Sequence, residues 1–416
     1  PAACSEFSGG IVSAPLADIT VIEVDNYMAA PSAGAILADM GATVIKVEPL
    51  GGDPMRGIGR PAKVEGPLEG YDFGFDVDNR GKRSVAVALD TEEGAAVVHR
   101  LVEKAQVFLC NLLPRRQRRF GLDPETLMTR NPALVHATLT GYGTNGPEAE
   151  RPGYDVTAFF GRSGLYDAMR EGDDGEVPMA RPAQGDHTAG LALVGAILAA
   201  LRVAERSGEG QVVETSLFET AIWTQATDFG VTAVDRAPVR RRSRHNQLTP
   251  AANRYPCGDG KWIVLNTLGP NAFEKLVEAL GREDWLEDPR FQDAKSRYRH
   301  MPELVDAVDG ILAAKSRDEW GEVFDRAGVI WGPVLTLDEV ARDSQAEAID
   351  MFPEIEHAER GRYRSVRAPM RFRDAEVRPR GPSPTVGQHT REVLTGAGYS
   401  SQEIDALFAG GALGES

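Results

Sequence analysis

The pattern of apolar and polar residues between Pro15 and Leu139 alternates between two periods. Short apolar runs rich in β-branched residues are typical of buried strands, and longer segments with apolar residues three or four positions apart are typical of amphipathic helices. This alternation indicates an α/β domain with a mostly parallel sheet. The predicted strands are 20–24, 43–48, 84–89, 107–110 and 134–139, and the predicted helices are 31–40, 93–104 and 124–129.

A long apolar segment, Thr188–Leu201, carries no charge and predicts a buried helix. Pro182 and Gly185 disfavour helix before Asp186, so Asp186 is predicted to be the N-cap. An N-cap aspartate accepts hydrogen bonds from free N–H groups at the positive end of the helix dipole, which favours its ionised form. From the spacing alone, Asp186 is either a structural cap or a fixed carboxylate able to act as a nucleophile.

Three loops follow the carboxyl ends of predicted strands, where parallel sheets bind ligands. They are 26–28, 111–113 and 141–146. The first lacks the G-x-G-x-x-G turn of dinucleotide-binding proteins, so a nicotinamide-dependent oxidoreductase is the weakest functional hypothesis. Glu48, at the end of the second strand, is predicted to be solvated rather than to bind a ribose. The segment 51–81, rich in Gly, Pro and Asp, is predicted to be a surface loop or lid.

A second pattern begins after residue 245 and indicates a smaller mixed α+β domain. A basic segment containing a proline, 236–245, is the predicted linker, and 1–14 is the predicted N-terminal tail. The large α/β domain is therefore placed at 15–235 and the small domain at 246–350. Further strands are predicted at 262–266, 332–335 and 366–372, with helices at 271–280, 301–314 and 316–327.

Composition and charge narrow the class of protein. The 416 residues are 42% hydrophobic, and the net charge of −16 argues against a nucleic-acid-binding protein. Three widely separated cysteines form neither a disulfide framework nor a metal-ligand pattern, so no metal site is predicted and a reducing, cytoplasmic location is expected. No uninterrupted apolar stretch reaches the about 18 residues of a membrane span, and no secretory signal is recognisable, so no membrane association is expected.

Two clusters of basic residues stand out in this acidic chain. One lies in the segment 111–119, which follows a strand and is predicted to be a loop, and it contains four arginines within 115–119. The other, Asn-Arg-Gly-Lys-Arg at 79–83, precedes a strand. Arginine offers planar, bidentate donors to phosphate groups, so either cluster is a candidate phosphate clamp. A solvated charged loop is the alternative interpretation of each cluster.

Five strings of residues, in order and at natural spacing, resemble a known family. They are L-A-D-M-G-A-T-V-I-K-V-E-P-L-G-G-D-P-M-R (37–56), N-R-G-K-R-S (79–84), N-P-A-L-V-H-A-T-L-T-G-Y-G-T-N-G-P (131–147), R-P-G-Y-D (151–155) and G-D-H-T-A-G-L (185–191). The chain resembles the class III (CaiB/BaiF) CoA-transferases, a family that includes formyl-CoA and carnitine CoA-transferases and α-methylacyl-CoA racemases. The resemblance implies a large Rossmann-like domain built from both chain ends, with 351–416 returning to it, and an interlocked homodimer.

The resemblance also implies the residues of the site. Asp186 falls on the family's catalytic aspartate, which would attack an acyl-CoA thioester and carry CoA as an aspartyl thioester before a second carboxylic acid takes it. Acyl-CoA and a free acid are thus the implied substrates, and no permanently bound cofactor is implied. The positions implied to bind CoA or to flank the thioester are Asn26, Ala29, Val87, Ala88, Leu89, Asp90, Asn111, Leu112, Arg119, Tyr154 and Asp155.

Two other activities remain open from the sequence. The racemases use a His–Asp pair in a G-H-D string, whereas this chain has G-Y-D at 153–155, and a tyrosine with a pKa of about 10 is a poor base at neutral pH. His187, beside Asp186, is a second candidate base but is predicted to satisfy local hydrogen bonds. A CoA-binding protein without turnover is the other alternative. Asn26 and Met28 replace a His and a Gln of the formyl-CoA transferases, which leaves the acyl substrate open.

Overall fold

The computed structural model of the chain describes residues 14–59, 63–237 and 239–415. The predicted tail, 1–14, therefore lies outside the described residues except for its last position. The described residues form two compact units. Unit 1 gathers those within Pro1–Leu165, Met179–Ala233 and Glu347–Ser416, and unit 2 gathers those within Tyr166–Pro178 and Val234–Ala346.

Strands and helices alternate along the first part of unit 1, as the sequence predicts. The strands are β1 (Thr20–Val24), β2 (Thr43–Glu48), β3 (Arg83–Val87), β4 (Val107–Cys110), β5 (Val135–Thr140), β6 (Val212–Ser216), β7 (Ala252–Pro256), β8 (Trp262–Asn266), β9 (Trp331–Pro333), β10 (Glu354–His357), β11 (Gly361–Arg364) and β12 (Leu413–Gly414). The α-helices are α1 (Ala29–Asp39), α2 (Phe73–Asn79), α3 (Glu92–Val102), α4 (Pro114–Phe120), α5 (Pro124–Arg130), α6 (Leu165–Ala168), α7 (Gln184–Ser207), α8 (Leu217–Thr224), α9 (Ala226–Asp235), α10 (Ala272–Leu280), α11 (Ala294–Arg299), α12 (Met301–Leu312), α13 (Arg317–Ala327), α14 (Leu337–Val340), α15 (Ser344–Ala348), α16 (Thr390–Gly396) and α17 (Ser401–Ala409).

A seven-stranded sheet forms the centre of unit 1, in the order β12-β3-β2-β1-β4-β5-β6. Neighbouring strands are parallel, except that β12 pairs antiparallel with β3. The last strand of the described chain thus joins a sheet whose first strand begins at Thr20, so unit 1 is built from both ends of that chain. The strand order reverses between β1 and β4, which leaves a crevice at the carboxyl ends of these two strands.

Both faces of the sheet are covered, which explains why its central strands are apolar over most of their length. One face packs on α3, α5, α16 and α17 through a core that includes Ile22, Val97 and Leu394. The other face lies under α1, which in turn packs on α7. Gly190 allows this helix pair to come close, since a Cβ atom there would lie 2.7 Å from the carbonyl oxygen of Ala29.

Helix α7 is less buried than its apolar sequence predicts. Gly190, Leu193 and Val194 are buried, whereas Leu191 and Val203 are exposed. Among the described helices, α7 alone is long and apolar enough, by length and composition, to cross a membrane. Because one of its sides packs on α1, the helix has a part in the core of unit 1, and its other side is an exposed apolar surface.

Unit 2 has a core of its own. Strands β7, β8 and β9 form an antiparallel sheet, and α10, α12 and α13 share a core with Tyr255 of this sheet. Arg241 lies 2.7 Å from Asp167 and 3.1 Å from Asp173, so ion pairs join 166–178 to the segment after residue 234. The sequence placed 166–178 in the large domain, whereas this segment belongs to unit 2 in the structure.

Two local predictions were wrong. Among the described residues, 366–372 forms no strand, and the strands nearest to it are β10 and β11, which pair as an antiparallel hairpin. The segment 51–81 is more than a surface loop, because its second half contains α2, where Asp76 and Asp78 are buried. Residues 60–62 of this segment lie outside the described residues.

Candidate active site

A cavity of about 300 Å³ opens at the carboxyl ends of β1, β4 and β5, where the strand order reverses. Parallel α/β sheets bind ligands at this position. The loops predicted to carry a site, 26–28, 111–113 and 141–146, all contribute to its wall. The lining residues are Asn26, Tyr27, Ala29, Asn111, Leu112, Leu113, Arg115, Arg116, Leu139, Thr140, Gly141, Pro152, Gly153, Tyr154, Asp186 and Leu217.

One asparagine joins the loops that follow β1 and β4. The Asn111 side-chain nitrogen donates to the backbone carbonyl of Asn26 at 2.7 Å, and its side-chain oxygen accepts from the Asn26 N–H at 3.2 Å. A primary amide suits this exchange because it offers a donor and an acceptor side by side. The Oδ1 atom of Asn26 is buried and has no hydrogen-bond partner among the described residues, which leaves an acceptor in the cavity wall.

A buried cluster of charged side chains supports the turn at Tyr27. The Lys46 Nζ atom lies 2.8 Å from Asp25, 3.1 Å from Asp53 and 3.2 Å from Glu23. Burial alone would lower the pKa of Lys46, but these carboxylates raise it well above its usual value. Asp53 also accepts from the N–H of Tyr27 at 3.1 Å, and Tyr27 has a left-handed φ of 65°. The cluster therefore holds Tyr27 in a conformation that residues other than glycine rarely adopt.

Two tyrosine rings form the rim of the cavity. Tyr27 and Tyr154 pack edge to face, with ring centroids 5.4 Å apart. Tyr154 is 53% exposed, so its ring is available to a ligand. Its backbone N–H donates to the Thr157 hydroxyl at 3.0 Å, at the start of a π-helix, Asp155–Gly161. π-Helical turns are rare and are common at functional sites.

Gly185 lets this π-helix pack against the start of α7. A Cβ atom at Gly185 would lie 2.6 Å from the ring of Phe159 and 2.8 Å from the Cβ atom of Asp155. Any larger residue would therefore push the two elements apart. Asp155 is held next to the segment that carries Asp186, and its buried Oδ2 atom has no hydrogen-bond partner among the described residues.

Asp186 is the third residue of α7, not its N-cap as the sequence predicted. The helix begins at Gln184, and the N-cap is Ala183, which has a left-handed φ of 81° and makes no side-chain cap hydrogen bond. The chain thus turns into the helix at Ala183, and Gly185 is helical because its lack of a side chain is used for packing. Asp186 still lies in the first turn, at the positive end of the helix dipole.

The ionised form of Asp186 is not favoured, which corrects a second prediction. Burial, followed by the charges of Asp155 and Asp78, raises the pKa of Asp186 to about 7. His187 acts in the opposite direction and lowers this pKa. A carboxyl group that titrates near neutral pH in a cavity wall is typical of a functional site.

Residues 16–390 match the protein family described as CoA-transferase family III. The chain belongs to this family. It is 32% identical over 397 residues to the (R)-2-hydroxy-4-methylpentanoate CoA-transferase of Clostridioides difficile, which covers 94% of this chain and 97% of that protein. It is 32% identical over 401 residues to the cinnamoyl-CoA:phenyllactate CoA-transferase of Clostridium sporogenes, which covers 94% of this chain and 95% of that protein.

The fold of the transferase also matches solved structures. A CaiB/BaiF family protein from Brucella suis is similar with a TM-score of 0.82 and 30% sequence identity, covering 92% of this chain and 99% of that one. The predicted family, the predicted enzyme class and the mixed α/β fold with a mostly parallel sheet are therefore confirmed.

The first basic cluster of the transferase is helical, whereas the sequence predicted a loop. Pro114 begins α4, and the fixed φ of a proline suits the first turn of a helix. Arg115 and Arg116 on this helix line the cavity, while Arg119 is not among the described lining residues. Arg118 is 3.0 Å from Glu150. The cations nearest to the cavity are therefore those at the beginning of the helix.

The second basic cluster is not a phosphate clamp. Arg80 is buried against Asp39 at 2.6 Å, and Lys82 is buried against Glu23 at 2.7 Å. Both cations are thus engaged in ion pairs inside unit 1.

Glu48 corrects a further prediction, because this residue is buried instead of solvated. Its carboxylate lies 2.6 Å from Arg56 and accepts from the Ser84 hydroxyl at 2.6 Å. Glu48 therefore has a structural role between neighbouring strands and the segment that follows β2.

The cavity brings together about half of the positions implied to bind CoA. Asn26, Ala29, Asn111, Leu112 and Tyr154 lie in its wall with the implied catalytic residue. The others do not line it, and their roles stay predictions. Val87, Ala88, Leu89 and Asp90 lie at the end of β3, Arg119 lies on α4, and Asp155 begins the π-helix.

Several residues of the site had no specific signal in the sequence. Asp78, at the end of α2, accepts from or donates to His187 Nε2 at 3.0 Å across a large sequence separation. Tyr27 lies in the wall because of a backbone conformation that no motif reveals. Lys46 did offer a signal, since a lysine inside an otherwise apolar strand indicates a buried ion pair. Among the described residues, no group of three or more His, Cys, Asp or Glu could hold a metal ion.

Proposed function

We propose that the transferase moves CoA between two carboxylic acids through an aspartyl-CoA thioester on Asp186. The observation that carries this proposal is the position of Asp186, a half-buried carboxylate in the wall of the cavity at the switch point of the sheet. Its displaced pKa fits a group that changes its charge and its bonding during turnover.

The proposed chemistry keeps every bond accounted for. An Asp186 oxygen attacks the thioester carbonyl carbon, the C–S bond breaks, and an aspartyl mixed anhydride and the CoA thiolate result. The thiolate attacks the aspartyl carbonyl carbon and releases the first acid as its carboxylate. The second carboxylate attacks the aspartyl thioester, the thiolate leaves and then attacks the new acyl carbon, and Asp186 is regenerated as a carboxylate.

Two helix N-termini support the negative charge that develops in these steps. Asp186 lies in the first turn of α7, and Ala29, in the cavity wall, is the first residue of α1. Free N–H groups and the positive ends of helix dipoles stabilise anions. Each tetrahedral intermediate carries an oxyanion, so prearranged donors of this kind lower the barriers.

The cavity wall also suggests how the substrates are oriented. We propose that Arg115 and Arg116 face the phosphates of CoA, and that the acyl group lies near Tyr27 and Tyr154, with Leu217 nearby. The relatives named above act on branched and aromatic acids, so (R)-2-hydroxy-4-methylpentanoate and phenyllactate are the first acceptors to examine for this chain.

Acyl exchange tests the proposed function directly. The purified transferase, incubated with a panel of acyl-CoA thioesters and free acids, is expected to produce new CoA thioesters that mass spectrometry identifies. The same incubation with heat-inactivated protein is the control. Binding of CoA without any exchanged thioester across the panel would favour a CoA-binding protein without turnover.

An Arg116→Ala variant is expected to weaken CoA binding, with a larger loss at low salt than at high salt, because ion pairs with phosphates are screened by salt. Titration calorimetry between low and high ionic strength gives the dissociation constants. Arg130→Ala is the matched control, since Arg130 pairs with Glu103 at 3.7 Å and lies outside the cavity wall. Equal dissociation constants for both variants at every salt concentration would remove Arg116 from the CoA site. Arg119→Ala, measured in parallel, tests the position that the family resemblance implies.

We also propose that the transferase is a homodimer of interlocked chains. The exposed apolar residues of unit 1 support association, since Leu191 and Val203 on α7, Trp223 on α8 and Val231 on α9 are all exposed, Trp223 by 77%. Light scattering of the purified protein tests the assembly, and the mass of a single 45.0 kDa chain would contradict it.

A further inference from the structure

The surroundings of Asp186 contain two other carboxylates and one imidazole. Asp155 begins the π-helix, Asp78 ends α2, and His187 follows Asp186 on α7. Both carboxylates disfavour a negative charge on Asp186, and His187 is the group that favours it. The charge state of the imidazole therefore affects how easily Asp186 ionises.

His187 is fixed by the buried carboxylate below it. Its Nε2 atom lies 3.0 Å from Asp78 Oδ1, and the side chain of Asp78 is only 3% exposed, while that of His187 is 46% exposed. A nearly buried carboxylate gains most from a cationic partner, because little water is available to solvate its charge. The hydrogen bond to Asp78 accordingly raises the pKa of His187.

The other charged groups near His187 are already engaged. Arg80, which follows α2, repels a charge on His187 but is held by Asp39 at the end of α1, at 2.6 Å. Asp186 itself attracts the imidazolium. The Asp78–His187–Asp186 sequence of charges thus alternates in sign when the imidazole is protonated.

We propose that His187, held by Asp78, is a positioning residue that maintains Asp186 as an anion for its attack on the thioester. This inference rests on the proposed function, in which Asp186 is the nucleophile. The imidazolium offsets the repulsion from Asp155 and Asp78, so Asp186 stays ionised at a lower pH than its carboxylate neighbours alone would permit. His187 touches no reacting atom in this role and acts through Asp186.

The test is the pH profile of kcat/KM for acyl-CoA in a His187→Gln variant, which keeps a side-chain donor for Asp78 and removes the positive charge. The acidic limb of the profile is expected to move up by about half to one pH unit, equivalent to a loss of about 3- to 10-fold at pH 6.5. At pH 9, where Asp186 is ionised in both proteins, the activities are expected to agree within about twofold. A purely structural role for His187 would lower activity equally at all pH values.

His245→Gln is a matched control. His245 pairs with Asp306 at 3.2 Å and is 45% exposed, so it resembles His187 in geometry and exposure, but it lies in unit 2. This control is expected to leave the acidic limb unchanged. An unshifted limb in His187→Gln, or a loss independent of pH, would overturn the role of His187.

A second measurement separates this inference from the proposed function. Hydroxylamine trapping of Asp186 in the wild type shows whether the aspartyl thioester forms at all. If the wild type is trapped and His187→Gln keeps the wild-type pH profile, the inference about His187 fails and the proposed function stands. If the wild type is not trapped, the proposed function fails first.

Discussion

An Asp186→Asn variant is expected to lose transfer activity by a factor on the order of 10⁴ or more, because removing a nucleophile closes the covalent route. The same variant is expected to unfold at a higher temperature than the wild type at pH 8. Both results come from one feature, a carboxyl group that is placed for chemistry in surroundings that disfavour its charge. Steady-state kinetics and thermal unfolding of the same preparation measure the two effects together.

The sign of the stability effect follows from the pKa of Asp186. The folded-state pKa is raised to about 7 by burial, Asp155 and Asp78, whereas the unfolded chain has the ordinary value of 3.8. The folded state therefore binds the proton more tightly, and the free energy of unfolding falls as pH rises from about 4 to about 7. An amide has no such cost, so the advantage of Asp186→Asn is expected to be present at pH 8 and absent near pH 4.

Asp123→Ala provides the opposite result in the same protein. Asp123 is a true N-cap, whose side chain accepts from the Thr126 N–H at 3.0 Å at the start of α5. Its loss is expected to lower the free energy of unfolding by about 0.5–2 kcal/mol and to leave transfer intact. If Asp186→Asn destabilised the protein to the same extent at pH 8, Asp186 would have to be regarded as a structural residue.

The sheet of unit 1 was predictable because its signal is local. Each central strand is a short apolar run and each helix has its own periodicity, so alternation along the sequence predicts the parallel sheet and its ligand-binding edge. The reversal of strand order between β1 and β4 places 26–28 beside 111–113, as general rules for such sheets lead one to expect. Where packing decided the outcome, prediction failed: α4 forms in an arginine-rich segment that composition alone had marked as a loop.

The electrostatics of the site could not be predicted because they depend on contacts distant in sequence. Asp186 was expected to ionise readily at a helix N-terminus, but its pKa depends more on burial and on Asp155 and Asp78, which come from other elements. The segment that carries Asp78 had the composition of a loop, so nothing indicated that it would fold as α2 against the start of α7. A motif identified Asp186, but only the fold shows which charges surround it.

Hydroxylamine added during turnover is expected to inactivate the transferase and to convert Asp186 into a hydroxamate. The nitrogen attacks the aspartyl carbonyl carbon, a C–N bond forms, the C–S bond breaks and CoA leaves as the thiol, because a thioester is electrophilic at this carbon. Peptide mass spectrometry locates the adduct. Inactivation is expected only when acyl-CoA is present, and Asp186→Asn is expected to give no adduct.

The same experiment decides between a transferase and a racemase mechanism when it is combined with heavy water. Transfer breaks bonds only at carbonyl carbons, so a 2-methylacyl-CoA is expected to gain no deuterium at its α-carbon. Epimerisation needs two groups that carry a proton at neutral pH, and Tyr154 stands where the racemases have a histidine, which leaves His187 as the remaining candidate partner. His187 is engaged with Asp78 through Nε2, which favours a fixed role over repeated proton transfer. Deuterium incorporation at a rate comparable with turnover, with Asp186 unmodified by hydroxylamine, would show that proton transfer at the α-carbon is the principal activity.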